Sequence, residues 1–165
     1  LFKVDLLYPT GVTTPTTRSE FLIRSASIPA SNIGTHEVFF HGKSIKVAGD
    51  RTFDTWETTI INDEDFAIRS TMEEWSQNIN TPVSNLRTAG AGPESYKSQA
   101  SVTHYGKQGG VLREYKFIGM FPSVISPIDL DWGNEAIEEY QVTFEYDYFT
   151  VDAANSFGFG ISINI

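Results

Sequence analysis

The segment IEEYQVTFEYDYF (137–149) alternates along its whole length. Tyr140, Val142, Phe144, Tyr146 and Tyr148 fall on one side, and Gln141, Thr143, Glu145, Asp147 and Phe149 on the other. A repeat of two residues is the period of an extended strand, whose side chains point alternately to opposite faces. The same signal returns, with turn residues between, in FKVDLLY (2–8), EFLIRSASIPAS (20–31), HEVFFHGKSIKVAG (36–49), TFDTWETTII (52–61), YKSQASVTHY (96–105) and VLREYKFIGMFP (111–122). In one place the period changes. Ile68, Met72, Trp75 and Ile79 recur at helical spacing, which predicts a helix over about 63–79. Asn62 or Asp63 is its expected N-cap, with Asp63, Glu64 and Asp65 in the first turn, where the helix dipole favours negative charge. Pro82 lies just past its end. The pattern predicts a mainly β fold, a sandwich or barrel of about eight or nine strands, with one inserted helix covering an open end or face.

The connectors divide the chain. PTGVTTPTT (9–17) is a loop, residues 81–95 form a long connector, and GKQGG (106–110) is a hairpin turn. Gly42 separates two strands, and Gly49–Asp50–Arg51 reads as a second break before TFDTWETTII. After Phe149 the segment TVDAANSFGFGISINI carries glycines, one charge and apolar residues with no chain left to cover them. The expected division is therefore a β domain over 1–149 and a C-terminal arm or flexible tail over 150–165; a chain of 165 residues suits one core. The chain opens at Leu1 without a methionine, which leaves its true start and its compartment open.

Residues that could carry catalysis do not fall into working patterns. HGKS (41–44) ends like a phosphate loop, but Glu37 stands where that motif needs a glycine, and a strand is expected to follow. His36, His41 and His104 lack one-face helical spacing, and the chain has no cysteine, so no metal site is expected. Asp129, Asp131 and Glu135 resemble a calcium loop only loosely, since Asn134 occupies the position of its glycine; a turn with solvated carboxylates is expected. No nucleophile elbow is present. The sequence predicts no enzyme and no cofactor. No apolar run approaches the roughly 18 residues of a membrane span. The net charge of −9 argues against tight DNA binding, which rewards lysine and arginine through counterion release.

Four stretches in order, VAGDRTFDTWETTIINDED, YKSQASVTHY, REYKFIGMFPSVISPIDLDW and EYQVTFEYDYF, resemble the tail tube proteins of contractile-tailed, T4-like bacteriophages. They span about Ile45 to Phe149, with weaker support in LFKVDLLY and RSASIPAS. The resemblance implies a tail-tube-type β-sandwich or barrel with one helix. It also implies hexameric rings whose inner sheets join into one barrel, and stacking of those rings into a hollow tube. Implied partners are further copies of the chain, a surrounding sheath protein, baseplate and tail terminator proteins, a tape-measure protein in the lumen, and DNA passing through without specific binding. The implied location is the virion tail, assembled in the host cytoplasm.

On this footing Gly49, Asp50 and Arg51 are expected to form a connector that meets a neighbouring ring or subunit. The lumen is expected to be polar and net acidic, with Gln99, Ser101, Thr103, Gln141, Thr143, Glu145 and Asp147 as candidate lining residues; nearby lysines and Arg113 complicate the charge. Related roles stay open: the inner tube of a tailocin, a type VI-like system or another contractile injection machine, or a tube initiator or terminator. A rival of another class is a monomeric carbohydrate-binding sandwich presenting aromatics such as Trp132.

Overall fold

The computed structural model describes residues 1–15, 22–88, 90, 92–128, 133 and 137–153. Its strands are β1 (Phe2–Leu6), β2 (Ile23–Ala26), β3 (Ser31–Phe40), β4 (Lys43–Phe53), β5 (Trp56–Ile61), β6 (Ser98–Tyr105), β7 (Val111–Ile125), β8 (Glu139–Glu145) and β9 (Tyr148–Ala153). The helix α1 spans Ala67–Ile79. Among the described residues the architecture is mainly β with the long helix α1, as the sequence predicts.

Strand β7 is long enough to serve two sheets. Its first part pairs with β6 and β9, and β6 pairs with β1, giving an antiparallel order β1-β6-β7-β9. Its last part pairs with β8, and β5 and β2 follow, giving β7-β8-β5-β2. Strands β3 and β4 form a separate two-stranded ribbon.

Side chains turned inward by the alternation make one core. Trp56 is fully buried, stacked on Phe117 at 4.4 Å between ring centroids and tilted against Phe144 at 5.3 Å. Large-to-small changes at such aromatic positions cost about 3–5 kcal/mol. Helix α1 buries Ile68, Thr71, Met72 and Trp75, its apolar stripe, and the Trp75 indole N–H donates to the Tyr96 carbonyl at 2.7 Å.

The helix start differs from expectation. The Asn62 N–H donates to the Glu138 carbonyl at 2.8 Å, so Asn62 prolongs the β5–β8 pairing and is not the cap. Residues 63–66 then form a turn in which the Phe66 N–H reaches the Asp63 carbonyl at 2.9 Å. Phe66 itself occupies the N-cap position at φ 50°, with no side-chain cap, and the first helical turn holds no acidic residue.

The strand expected over 137–149 is broken in two. Strand β8 ends at Glu145, Tyr146 and Asp147 make a corner, and β9 runs on to Ala153, past the boundary expected at 149. The chain must cross from one sheet to the other here, because β8 and β9 pair with different parts of β7. The corner reverses the alternation: Phe149 packs on Phe53 and Phe117, while Tyr148 is exposed. Residues 154–165 of the expected arm lie outside the described residues.

The crossing is pinned at Gly119, whose φ of +72° is left-handed and where a Cβ would lie 2.0 Å from an Asp147 carboxylate oxygen. Asp147 accepts a bond from Lys97 Nζ at 2.6 Å, and its N–H donates to the Ile118 carbonyl at 2.9 Å. Replacing Gly119 by alanine should cost about 2 kcal/mol in urea unfolding, from backbone strain together with the displaced carboxylate. A Gly119→Ala/Asp147→Ala protein should recover the steric part and keep the backbone part, so a wholly additive loss would show this account to be wrong.

Candidate assembly surfaces

Two surfaces stand apart from the core. The first is the outer face of the β1-β6-β7-β9 sheet. Val4, Ala100, Val102 and Phe117 point inward, so the intervening residues of each strand point away from the core. Gln99 and Ser101 of β6 share this outward face with Lys3 and Asp5 of β1; Thr103 has the same phase but is buried. On the other side of β6 they meet Ile118, Lys116 and Glu114 of β7, and Thr150 and Asp152 of β9 continue the face. Its charged groups pair among themselves: Lys3 Nζ lies 3.1 Å from Asp5 Oδ1, and Lys116 Nζ lies 2.8 Å from Asp152 Oδ2 and 3.5 Å from Glu114 Oε2. Among the described residues no further strand pairs with the outer edge of β1 or of β9, so the sheet has two open edges.

The other lumen candidates are elsewhere. Gln141, Thr143 and Glu145 lie on β8, alternating with the buried Tyr140, Val142 and Phe144, and so face outward from the second sheet. Asp147 belongs to the corner over Gly119. The two sets therefore lie on different faces of the subunit.

The second surface is the β3–β4 ribbon. Its turn uses His41 at φ 47° and Gly42 at φ 77°, the two left-handed residues that a tight hairpin requires. The break expected at Gly49–Asp50–Arg51 is absent, since β4 runs through all three. The pairing moves from Thr35↔Ala48 to Ile33↔Arg51, which sets Gly49 and Asp50 opposite the single residue Gly34. This is a β-bulge, and glycine with charged neighbours reads alike in a bulge and in a loop. A Cβ on Gly49 would lie 2.9 Å from the His36 imidazole, so the missing side chain makes room for that ring.

Sequence reasoning passed over the apolar residues of this ribbon. Val38 and Ile45 are direct cross-strand partners, and Phe39 and Phe40 are 77% and 63% exposed. The signal was the apolar run VFF beside a turn with nothing to cover it. At the root of the ribbon, Phe53 packs against Tyr146 and Phe149, and the Tyr146 hydroxyl donates to the Asp54 carbonyl at 2.6 Å. Burial, assisted by the charges of Asp54 and Glu145, pushes the Tyr146 hydroxyl up to about 12.

A cleft of about 290 Å³ between helix α1 and the loop after β1 is lined by Pro9, Val12, Trp75, Asn78, Thr88 and Tyr96 among others, with no carboxylate, histidine or cationic side chain. His36 and His41 are on the ribbon and His104 is on β6. Among the described residues no group of three potential ligands is placed to hold a metal. Asp129, Asp131, Trp132 and Glu135 lie outside the described residues.

A family model described as "Phage tail tube protein" matches residues 3–152. The chain is 34% identical over 131 residues to tail tube protein gp19 of Enterobacteria phage T4, covering 78% of this chain and 79% of that one. It is 26% identical over 151 residues to the tail tube protein of Serratia phage KSP90, covering 90% and 83%. Among solved structures, the tube-terminating cap of the anti-feeding prophage shares the fold with a TM-score of 0.67 at 20% identity, covering 93% of this chain and 88% of that one.

The Tyr146 bond makes a pH prediction. Its raised value means that the stabilisation is complete below the unfolded value near 10 and is lost as pH rises towards 12. Tyr146→Phe should cost about 1 kcal/mol at neutral pH. Its unfolding free energy should then fall less steeply than wild type between pH 10 and 12, as read by chemical denaturation.

Proposed function

The chain belongs to the phage tail tube protein family and is a structural protein of the inner tube of a contractile tail, and from that premise we propose that six copies close into a ring with the outer face of the β1-β6-β7-β9 sheet turned to the lumen. The observation that carries this reading is that, among the described residues, β1 and β9 are open edges on either side of a polar face. Strand β1 runs opposite to β6, β6 opposite to β7, and β7 opposite to β9, so β1 and β9 run in opposite directions. Laying β9 of one copy against β1 of the next continues the antiparallel order and leaves neither edge unpaired. Repetition about an axis closes the sheet into a continuous barrel.

The inward face then carries two cations, Lys3 and Lys116, against three carboxylates, Asp5, Glu114 and Asp152. A polar, slightly acidic wall offers phosphate no net attraction, so duplex DNA passes without specific binding. The second sheet and helix α1 face outward, towards the sheath protein. Baseplate and tail terminator proteins meet the two ends of the tube, and a tape-measure protein fills the lumen during assembly. The protein acts by assembling in the host cytoplasm into the virion tail and catalyses nothing. The identity to phage relatives favours a phage tail over the related injection machines.

The β3–β4 ribbon is the contact between rings. Its exposed apolar residues supply burial, and Gly49, Asp50 and Arg51 give the bulge that turns it towards the neighbour, with Arg51 making a polar contact there.

Because the chain has no cysteine, single cysteines report topology cleanly. In assembled tubes Gln99→Cys should react with a small maleimide but be shielded from a bulky polymer maleimide, whereas Gln141→Cys should react with both; the reverse pattern would place the other sheet inside. Arg51→Glu should fold normally and shorten or abolish the tubes seen by electron microscopy; tubes of normal length would remove Arg51 from the contact.

A further inference from the structure

We propose that Glu114 and Asp152 hold Lys116 so that its ammonium is withheld from DNA phosphates, which lets this face carry a lysine without gripping the duplex. The inference rests on reading the β1-β6-β7-β9 face as the lumen. Glu114 stands directly opposite Asp152 across the β7–β9 pairing, and Lys116 stands one outward position along, opposite Thr150. Like charges directly opposite one another destabilise a sheet, and here a cation bridges them. The Lys116 ammonium donates to Asp152 at 2.8 Å and lies 3.5 Å from Glu114. The hydrogen bond and charge of Asp152, followed by the charge of Glu114, raise the Lys116 pKa and so favour its charged form.

A free lysine on this wall would bind phosphate by releasing the counterions of the duplex. A lysine already between two carboxylates must give up one of them first, and the approaching phosphate meets the other. Lys3 follows the same rule with Asp5. Exposed pairs of this kind contribute little to fold stability, so their consequence lies in what the surface attracts.

The test compares two variants of equal net charge as the full chain. Glu114→Gln/Asp152→Asn removes both partners of Lys116, and Glu57→Gln/Glu145→Gln removes two carboxylates from the outer face of the other sheet. Fluorescence anisotropy with mixed-sequence duplex DNA is read over a salt series, after circular dichroism confirms each fold; Asp152→Asn alone serves if the double variant is unfolded. The expected result is on the order of tenfold tighter binding at low salt for Glu114→Gln/Asp152→Asn, with a salt slope steeper by about one for each lysine engaged. Adding Lys116→Gln should cancel the gain, and the control should stay near wild type. Equal gains in both variants, no gain in either, or a gain that survives Lys116→Gln would each overturn the proposal. Because anisotropy is read on free protein, reaction of Gln99→Cys tubes with the polymer maleimide would overturn the lumen assignment separately.

Discussion

The left-handed backbone at Gly119, against which the Asp147 corner lies, is the constraint on which the arrangement of sheets depends. A single strand, β7, must pair with β6 and β9 in one sheet and with β8 in the other, and it changes allegiance at a residue with left-handed backbone. The chain after β8 must make the same change. Asp147 joins the two crossings, with Lys97 anchoring it from the start of β6. Each sheet alone would be a half-exposed surface; the crossings let Trp56, Phe117 and Phe144 stack between them as one core.

That core stabilises only part of the molecule. Every residue of β3 is exposed, and the ribbon is tied to the body at its root, through Phe53, Asp54 and Tyr146. An isolated two-stranded hairpin is marginal in water, and one that bares Val38, Phe39, Phe40 and Ile45 is also prone to association. The open edges of β1 and β9 pose the same problem in hydrogen bonds. Among the described residues the subunit therefore leaves apolar surface and strand edges uncovered, and these are the groups that the proposed ring and tube contacts would cover.

Much of this was legible in the chain. The helix stood out because Ile68, Met72 and Trp75 change the period, and all three are buried. The strand pattern up to Glu145 was correct in which residues face the core. It failed at 146–147 because alternation reports local direction and is silent about a change of sheet, which Gly119 imposes from a distant strand. Asn62 was misjudged as a cap because its bond to Glu138 joins residues far apart in sequence. The two sets of lumen candidates look the same in sequence, as polar residues alternating with apolar ones. What separates them is the sheet to which each strand belongs, and that is fixed only when the strands pair. Glu114, Lys116 and Asp152 were missed as a group for the same reason: they meet only across the β7–β9 register.

The two-residue corner at Tyr146 and Asp147 has a consequence for how the chain can vary. It sets the reading frame of β9. With two residues, Phe149 and Val151 fall on the core side and Thr150 and Asp152 on the other. Inserting or deleting one residue there would exchange the two sets and turn the Phe149 ring from Phe53 and Phe117 onto the polar face. Residue number at this corner is thus constrained alongside the identities of Tyr146 and Asp147.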